Sequence, residues 1–474
     1  MTRPTRRTDL AGRYAWPEWL VIGALVIACL LLVPKLAATG RYDAAILRFP
    51  FQVDDAEGVV LAEAGLIAHG TNPYAFQPSP ASHFYAGPYT PVYTLLNSGA
   101  VAVAGPTFKF GRAFQLLATL VVAGWLAWMV RQAATDRRGW VVGGWSAAIF
   151  VTAHLVAVWG VRVRPDMTAL AFNALGVVIL HAWLNRDDGE RWRAGGWPKG
   201  ATFARIAVGA ACFALGWWTK QTFVALPVAF IIATTVRRPR IGVTLAALYA
   251  GMIAVPFAIV TALTRGGFAQ KTISYQGSWE WGAFRRLAQP FIERYASLII
   301  VAVVFALLVV FRTRRPTFAV CWLALSAVGA LGAGTSGGNH NHFVEFVAAA
   351  VLLVGQGIAT LVAAEARDQR RAWMLPTLGA LVMLGGAIVA INEHEGAAGW
   401  LARDYRAPTV AERDGLTAIA NYIANSPGPV YSNNVGMLVV TGQEVRITDP
   451  FTMAAEVRLG RWDDALLVAD VAAG

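Results

Sequence analysis

Four short polar clusters interrupt an otherwise apolar chain, and each holds residue types that could do chemistry. Val53-Asp54-Asp55-Ala56-Glu57-Gly58 sets three carboxylates in four positions. Asp54 and Glu57 are three apart and share a face if the segment is helical. Carboxylates this crowded repel, which favours a bound cation, a positive substrate edge, or one carboxyl with its pKa raised for work as a base. An acidic helix N-terminus accounts for the same residues without chemistry, because carboxylates complement the helix dipole.

Arg162-Val163-Arg164-Pro165-Asp166 places two guanidinium groups beside an acid. Pro165 and Asp166 suit the start of a helix. The arginines fit an anionic ligand such as a phosphate, or a salt bridge to the first cluster of carboxylates. In Trp217-Trp218-Thr219-Lys220-Gln221-Thr222 the tryptophans read as membrane-interface anchors. Lys220 either snorkels towards headgroups or binds phosphate. The fourth cluster, Gly337-Gly338-Asn339-His340-Asn341-His342, leads to Glu345. His340 and His342 with Glu345 could ligate a metal, although a His-x-His pair on a loop is a weak signal. A carboxylate entering an apolar run is costly and is usually paired or functional. Gly332 to Gly337 spell GxGxxG but follow an apolar run rather than a strand, which argues against a nucleotide fingerprint.

The elements that must position these clusters are membrane helices. Of the 474 residues 56% are hydrophobic and only 14% charged, with a mean hydropathy of +0.50. A soluble domain of this size carries about a quarter charged residues. Runs of roughly 20 apolar residues suffice to cross the hydrocarbon core. Such runs lie near 18–38, 89–105, 112–130, 140–160, 166–184, 203–218, 221–236, 241–263, 295–311, 316–334, 343–363 and 372–391. The formal charge of +12 comes mostly from short loops between them, so it points to membrane topology rather than nucleic acid. Cys29, Cys212 and Cys321 all sit inside apolar runs and read as small core residues.

If all these runs crossed the membrane with the basic N-terminus (Arg3, Arg6, Arg7, Arg13) inside, most Arg-rich loops would face outward. Treating 89–105 as an interfacial or re-entrant segment repairs every loop at once, because that run is short and contains Pro91, Asn97 and Ser98. The expected fold is therefore an all-α polytopic membrane protein with about 11 transmembrane helices plus one interfacial segment. The N-terminus and the loops near 131–139, 185–202, 237–240, 312–315 and 364–371, with Arg367 to Arg371, become cytoplasmic. The four polar clusters, a loop at 39–88, a basic-aromatic loop at 264–294 and the C-terminus fall outside. That second loop suits either the headgroup surface or a solvated lid. The division is 1–391 as the transmembrane domain, with 39–110 as its first outer loop and interfacial helices, and 392–474 as a small extracytoplasmic α/β module. In the module, 411–425 reads as a helix and the runs around Val430 and from Met437 to Ile447 as strands.

In this order the motifs resemble the GT-C superfamily of membrane glycosyltransferases, in particular the bacterial group related to the protein mannosyltransferases and the lipid A aminoarabinose transferase. The resemblance rests on DDAEG, GTNPY (Gly70 to Tyr74), AGPYTPVY (Ala86 to Tyr93), GPTFKFGR (Gly105 to Arg112), RVRPDM, KQT and GGNHNHFVE. YSNN, TGQEVRITDPF and GRWD (Gly460 to Asp463) extend it to the C-terminus. It implies transfer of a sugar from a polyprenyl-phosphate-linked donor to a glycan, lipid or protein acceptor at the outer leaflet, with no nucleotide cofactor and no nucleic acid. A first-loop acid acting as base or metal ligand falls on Asp54, with Asp55 and Glu57 beside it, and the second-loop acid on Asp166. The substrate-binding candidates are Arg162, Arg164, Lys220, Tyr89, His340, His342 and Glu345. A divalent metal at the acidic positions is left open. A different class, a flippase moving lipid-linked saccharide without bond chemistry, would need polar residues through the span centres, which are almost free of charge.

Overall fold

The structure, a computed structural model, describes residues 15–134, 137–184, 197–363, 371–392 and 405–472. The basic N-terminal arginines, most of the loop at 185–202 and Arg367 to Arg370 lie outside the described residues.

The chain opens with a long helix, α1 (Ala15–Arg48), followed by α2 (Asp55–Ala68) and α3 (Pro91–Ala104). Two packed helices, α4 (Phe108–Arg131) and α5 (Arg138–Thr152), lead through a six-residue turn of helix, α6 (His154–Trp159), to α7 (Asp166–Leu184). There follow α8 (Ala201–Thr219), α9 (Ala225–Arg237), α10 (Pro239–Leu263), α11 (Gly267–Thr272), α12 (Trp281–Thr313), α13 (Phe318–Gly329), α14 (Val344–Val362) and α15 (Arg371–Asn392). Eight of these are long and apolar enough to cross a membrane: α1, α4, α7, α8, α10, α12, α14 with its preceding turn, and α15. The other three expected spans are the shorter α5, α9 and α13. The molecule is a multi-pass membrane protein.

Burial sorts the helices by their neighbours. In α14 72% of the apolar window is buried, against 11% in α10 and in α12. So α14 runs through the centre of the bundle, while α10 and α12 turn apolar side chains such as Val255, Ile259, Ile300 and Phe311 outward, as lipid requires. The segment 89–105 forms α3, whose 14 residues span only about 21 Å at 1.5 Å per residue. Its Asn97 and Ser98 are buried, and Asn97 donates to the Tyr93 carbonyl over 2.8 Å.

The C-terminal part is helical, which corrects the α/β expectation. It contains α16 (Val410–Ala424), α17 (Val435–Val440), α18 (Pro450–Arg458) and α19 (Ala465–Ala472). Among the described residues no strand forms; isolated bridges pair Phe84 with Ile447 and Trp279 with Thr335. The run from Met437 looked strand-like because it is apolar and partly β-branched. Asn434 instead caps a helix turn by accepting from Met437 N at 3.1 Å, and Gly442 at φ +73° lies just beyond its end. Burial of Val435, Met437, Leu438 and Val439 then decides in favour of the helix.

These helices do not carry a separate core. Met437, Leu438 and Ile423 pack with Phe49 and Phe51 from the segment after α1, and Val435 and Val439 pack with Val60, Leu61 and Ala64 of α2. Close approach of α17 to α2 depends on two glycines. A Cβ on Gly58 would stand 2.5 Å from the Gly436 nitrogen.

Candidate active site

The foundation of the site is a buried ion pair. Arg112, in the first turns of α4, donates from Nε to Glu57 Oε1 over 2.9 Å and from Nη2 to Oε2 over 2.7 Å. Its remaining N–H groups bond the carbonyls of Ile46, Phe49 and Phe51. Glu57 also accepts from Val53 N at 2.8 Å and from Val163 N at 2.9 Å. Both side chains are fully buried. Every strong bonding position is thus filled, as burial of such a pair requires. The pair clamps the chain after α1, the start of α2 and the segment before α7 into one unit, and Glu57 does not line the cavity described below.

Above the clamp, Asp54 caps α2 by accepting from Ala56 N. The same carboxylate receives Arg164 at 2.6 Å and Arg162 at 3.4 Å. Both guanidinium groups sit over the Trp159 ring, 4.5 Å and 4.9 Å from its centre. Asp55, one residue on, is exposed and makes no hydrogen bond or ion pair among the described residues. Partial burial, and then the charge of Asp54, raises its carboxyl above the usual range.

Asp166 begins α7 and is fully buried. Its Oδ1 accepts from Lys220 Nζ at 2.6 Å and from Asn341 Nδ2 at 2.8 Å, while Oδ2 has no partner among the described residues. Lys220 follows α8 in the tight turn to α9 and lies over the rings of Phe223 and Tyr89, 5.4 Å and 5.8 Å away. Burial raises the Tyr89 hydroxyl well above its ordinary value, so it stays neutral. Gln221 anchors the turn by donating to the carbonyls of Pro88 and Thr272.

These groups surround one cavity of about 390 Å³. Asp54, Asp55, Tyr89, Arg164, Lys220, Asn341 and His342 contribute to its wall, as do Thr335 to Asn339 and Asp449, Phe451 and Thr452 from the C-terminal part. The four polar clusters of the sequence therefore meet at one end of the bundle. Arg162 stands behind Asp54 and faces a second hollow beside Tyr42 and Phe49. Glu345 lies deeper, accepting from Leu226 N and Trp322 Nε1 at 2.8 and 3.0 Å. There it closes a joint between α9, α13 and α14. His340 is buried, and its backbone N–H bonds the Asn339 side chain. No three His, Cys, Asp or Glu side chains come together as a metal cage among the described residues. Asp54 and Asp166 each carry a cation of the chain.

Three features escaped the sequence reading. Arg112 figured only as the end of a motif, although an arginine entering an apolar run is itself a sign of a buried partner. Asn341 gave no signal beside the more conspicuous histidines. Asp449 and Phe451 figured only inside the TGQEVRITDPF stretch and Thr452 not at all, because the tail has no period that would point them at a distant loop.

No protein-family model and no curated protein matches the chain. Solved structures do match its fold. ArnT from Cupriavidus metallidurans bound to undecaprenyl phosphate superposes with a TM-score of 0.56 at 14% identity, over 94% of this chain and 90% of that one. The apo state of the same protein gives 0.55 at 14% identity, over 94% and 89%. The archaeal oligosaccharyltransferase AglB from Archaeoglobus fulgidus, in complex with an inhibitory peptide and a dolichol-phosphate, gives 0.53 at 13% identity, over 92% and 65%. The chain thus shares the fold of these solved membrane proteins.

Proposed function

We propose that this protein is a membrane glycosyltransferase that moves a sugar from a polyprenyl-phosphate-linked donor to an acceptor hydroxyl or amide at the extracytoplasmic face. The observation that carries the reading is the composition of the cavity wall. An unpaired carboxylate, Asp55, shares it with two cations, Arg164 and Lys220. That the solved neighbours were captured with undecaprenyl phosphate and with a dolichol-phosphate supports the donor class.

The reaction follows from those charges. Asp55 takes the proton of the acceptor as the acceptor heteroatom attacks the anomeric carbon. The bond from that carbon to the phosphate oxygen breaks, and the electron pair leaves with the lipid phosphate. Arg164 and Lys220 stabilise the charge that builds on the phosphate. Attack from the side opposite the leaving group inverts the anomeric centre. Asp54 and Asp166 are positioning residues in this scheme, holding Arg164 and Lys220 by ion pairs of 2.6 Å each. Glu57 and Arg112 hold both segments in register. Among the first-loop acids, Asp55 is therefore preferred as base, because Asp54 is committed to arginines and Glu57 to Arg112.

Sidedness supports the same placement. Asp54 and Arg164 are in contact, so the chain between them crosses the bilayer an even number of times. Crossings by α4 and α5, with α3 lying at the interface, satisfy that condition and put the site opposite the Arg-rich loops. The test is transfer of a labelled sugar from a synthetic polyprenyl-phosphate-sugar by the purified protein to acceptors in a cell-envelope extract. A product that forms with the wild type and not with Asp55→Asn is the expected result.

A further inference from the structure

The chain enters α12 at the end of the bundle that carries the cavity, and its exposed face there is aromatic and basic. Trp279 and Trp281 are 48% and 64% exposed although both are large apolar side chains. With Phe284 they form one cluster, the ring centres 5.5 to 6.3 Å apart. Arg285 and Arg286 follow in the next turn, exposed, with no hydrogen bond or ion pair among the described residues. Glu280, the nearest acid in sequence, does not pair with them. A Cβ on Gly282 would lie 3.6 Å from Arg286 Nη1, so that guanidinium turns back toward the helix start.

Two properties say what covers this corner. Beyond Arg285 the exposed face continues at helical spacing into Ile292 and Ile300, on a helix whose apolar window is only 11% buried. Lipid chains cover such a face. Along the helix, about 40 Å separates Arg285 from Arg312 at about 1.5 Å per residue. A bilayer with its headgroup layers is about 40–45 Å thick. Arg285 and Arg286 therefore stand in one headgroup layer and Arg312, Arg314 and Arg315 in the other, with the tryptophans at the level that favours indole rings.

The same corner is tied to the cavity. Ser336 N donates to the Ser278 carbonyl and Glu280 N to the Gly334 carbonyl, each over 2.8 Å. Trp279 Nε1 donates to the Leu331 carbonyl over 2.8 Å, and Trp279 bridges Thr335. Thr335 and Ser336 line the cavity. Gly277, at φ +77°, lets the two segments close, since a Cβ there would stand 2.7 Å from Ser336 Cβ.

We propose that this corner binds an anionic phospholipid, and that the bound lipid steadies the cavity wall at Thr335 and Ser336 through Trp279. Arg285 and Arg286 hold the phosphate and the negative headgroup, while the chains lie along Trp281, Ile292 and Ile300. A free phosphate has nothing to lay on that apolar face. A zwitterionic phospholipid brings a cation of its own, which the two arginines repel. The site is separate from Asp55, Arg164 and Lys220.

The experiment uses the full-length protein with one cysteine, Ser278→Cys, labelled with bimane in a background without the three native cysteines. It is placed in phosphatidylcholine nanodiscs containing a small share of either phosphatidylglycerol or phosphatidylcholine that bears a nitroxide near the headgroup. Quenching by the phosphatidylglycerol probe is expected to exceed that by the phosphatidylcholine probe at least about twofold. Arg285→Gln combined with Arg286→Gln is expected to make the two equal. Hydrogen exchange of the peptide carrying Thr335 and Ser336 is expected to slow at least about threefold in phosphatidylglycerol discs, in the wild type and not in the double variant. Equal quenching in the wild type, or a preference that survives the double variant, overturns the site. Absence of quenching by either probe shows a corner facing water and overturns it too. Exchange that ignores the lipid overturns the link to the cavity wall.

Discussion

Lys220 Nζ stands 2.6 Å from Asp166 Oδ1, and both side chains are buried. The lysine comes from the turn after α8 and the acid from the first residue of α7. Removing one partner of a buried pair leaves the other charge uncompensated, at a cost of about 3–5 kcal/mol, whereas removing both is far less harmful. Lys220→Met is therefore expected to lower the unfolding midpoint in detergent, and Lys220→Met with Asp166→Asn to recover most of the loss. Binding of polyprenyl phosphate should stay lost in the double variant. Recovered binding would mean that Lys220 does not contact the phosphate.

Glu57 and Arg112 are assigned a structural task. Glu57→Gln removes the charge that compensates Arg112 while keeping the shape, and should cost about 3–5 kcal/mol of stability. Variant protein that does fold should keep the wild-type pH profile of transfer. An acid limb that disappears in Glu57→Gln would instead make Glu57 the base.

The pH dependence follows from Asp55. Its carboxyl lies above the ordinary range because of partial burial and the adjacent Asp54. A base works only when deprotonated, so transfer is present above the Asp55 pKa and falls about tenfold per pH unit below it. The acid limb of the rate profile is thus expected above the usual carboxylate range. In Asp54→Asn a neighbouring negative charge is gone and Arg164 loses its partner, and both changes favour the Asp55 carboxylate. The limb should move to lower pH in that variant. A limb that stays in place would detach Asp55 from the rate.

Much of the architecture was legible because apolar runs of helix length must cross lipid. The meeting of Asp54 with Arg164 was one of two alternatives offered by the sequence, a salt bridge or an anionic ligand. The structure holds the salt bridge at 2.6 Å and still leaves Arg164 in the cavity wall. Glu57 and Arg112 are 55 positions apart, and no local pattern reports such a contact. The resemblance put the first-loop acid on Asp54, with Asp55 and Glu57 beside it, since sequence shows the crowding of carboxylates but not which of them finds a guanidinium. The strand expectation over Met437 to Ile447 failed because β-branched content was outweighed by the Asn434 cap and by packing on α2.

Sidedness has its own test. Asp55→Cys and Asp464→Cys, in a background without the three native cysteines, should react with a membrane-impermeant maleimide added to intact cells or spheroplasts. Arg240→Cys, in the first turn of α10, should react only after the membrane is opened. Labelling of Asp55→Cys and Arg240→Cys from the same side would end the proposed topology and the role of α3 as an interfacial helix.

The central claim is that Asp55 removes a proton from the acceptor while Arg164 and Lys220 hold the departing lipid phosphate. Transfer of a labelled sugar from a polyprenyl-phosphate donor, compared between wild type, Asp55→Asn and Lys220→Met, tests it most directly. The expected result is a rate reduced by about a hundredfold or more in Asp55→Asn with donor binding retained, and binding itself lost in Lys220→Met. A rate for Asp55→Asn equal to that of the wild type would contradict the claim.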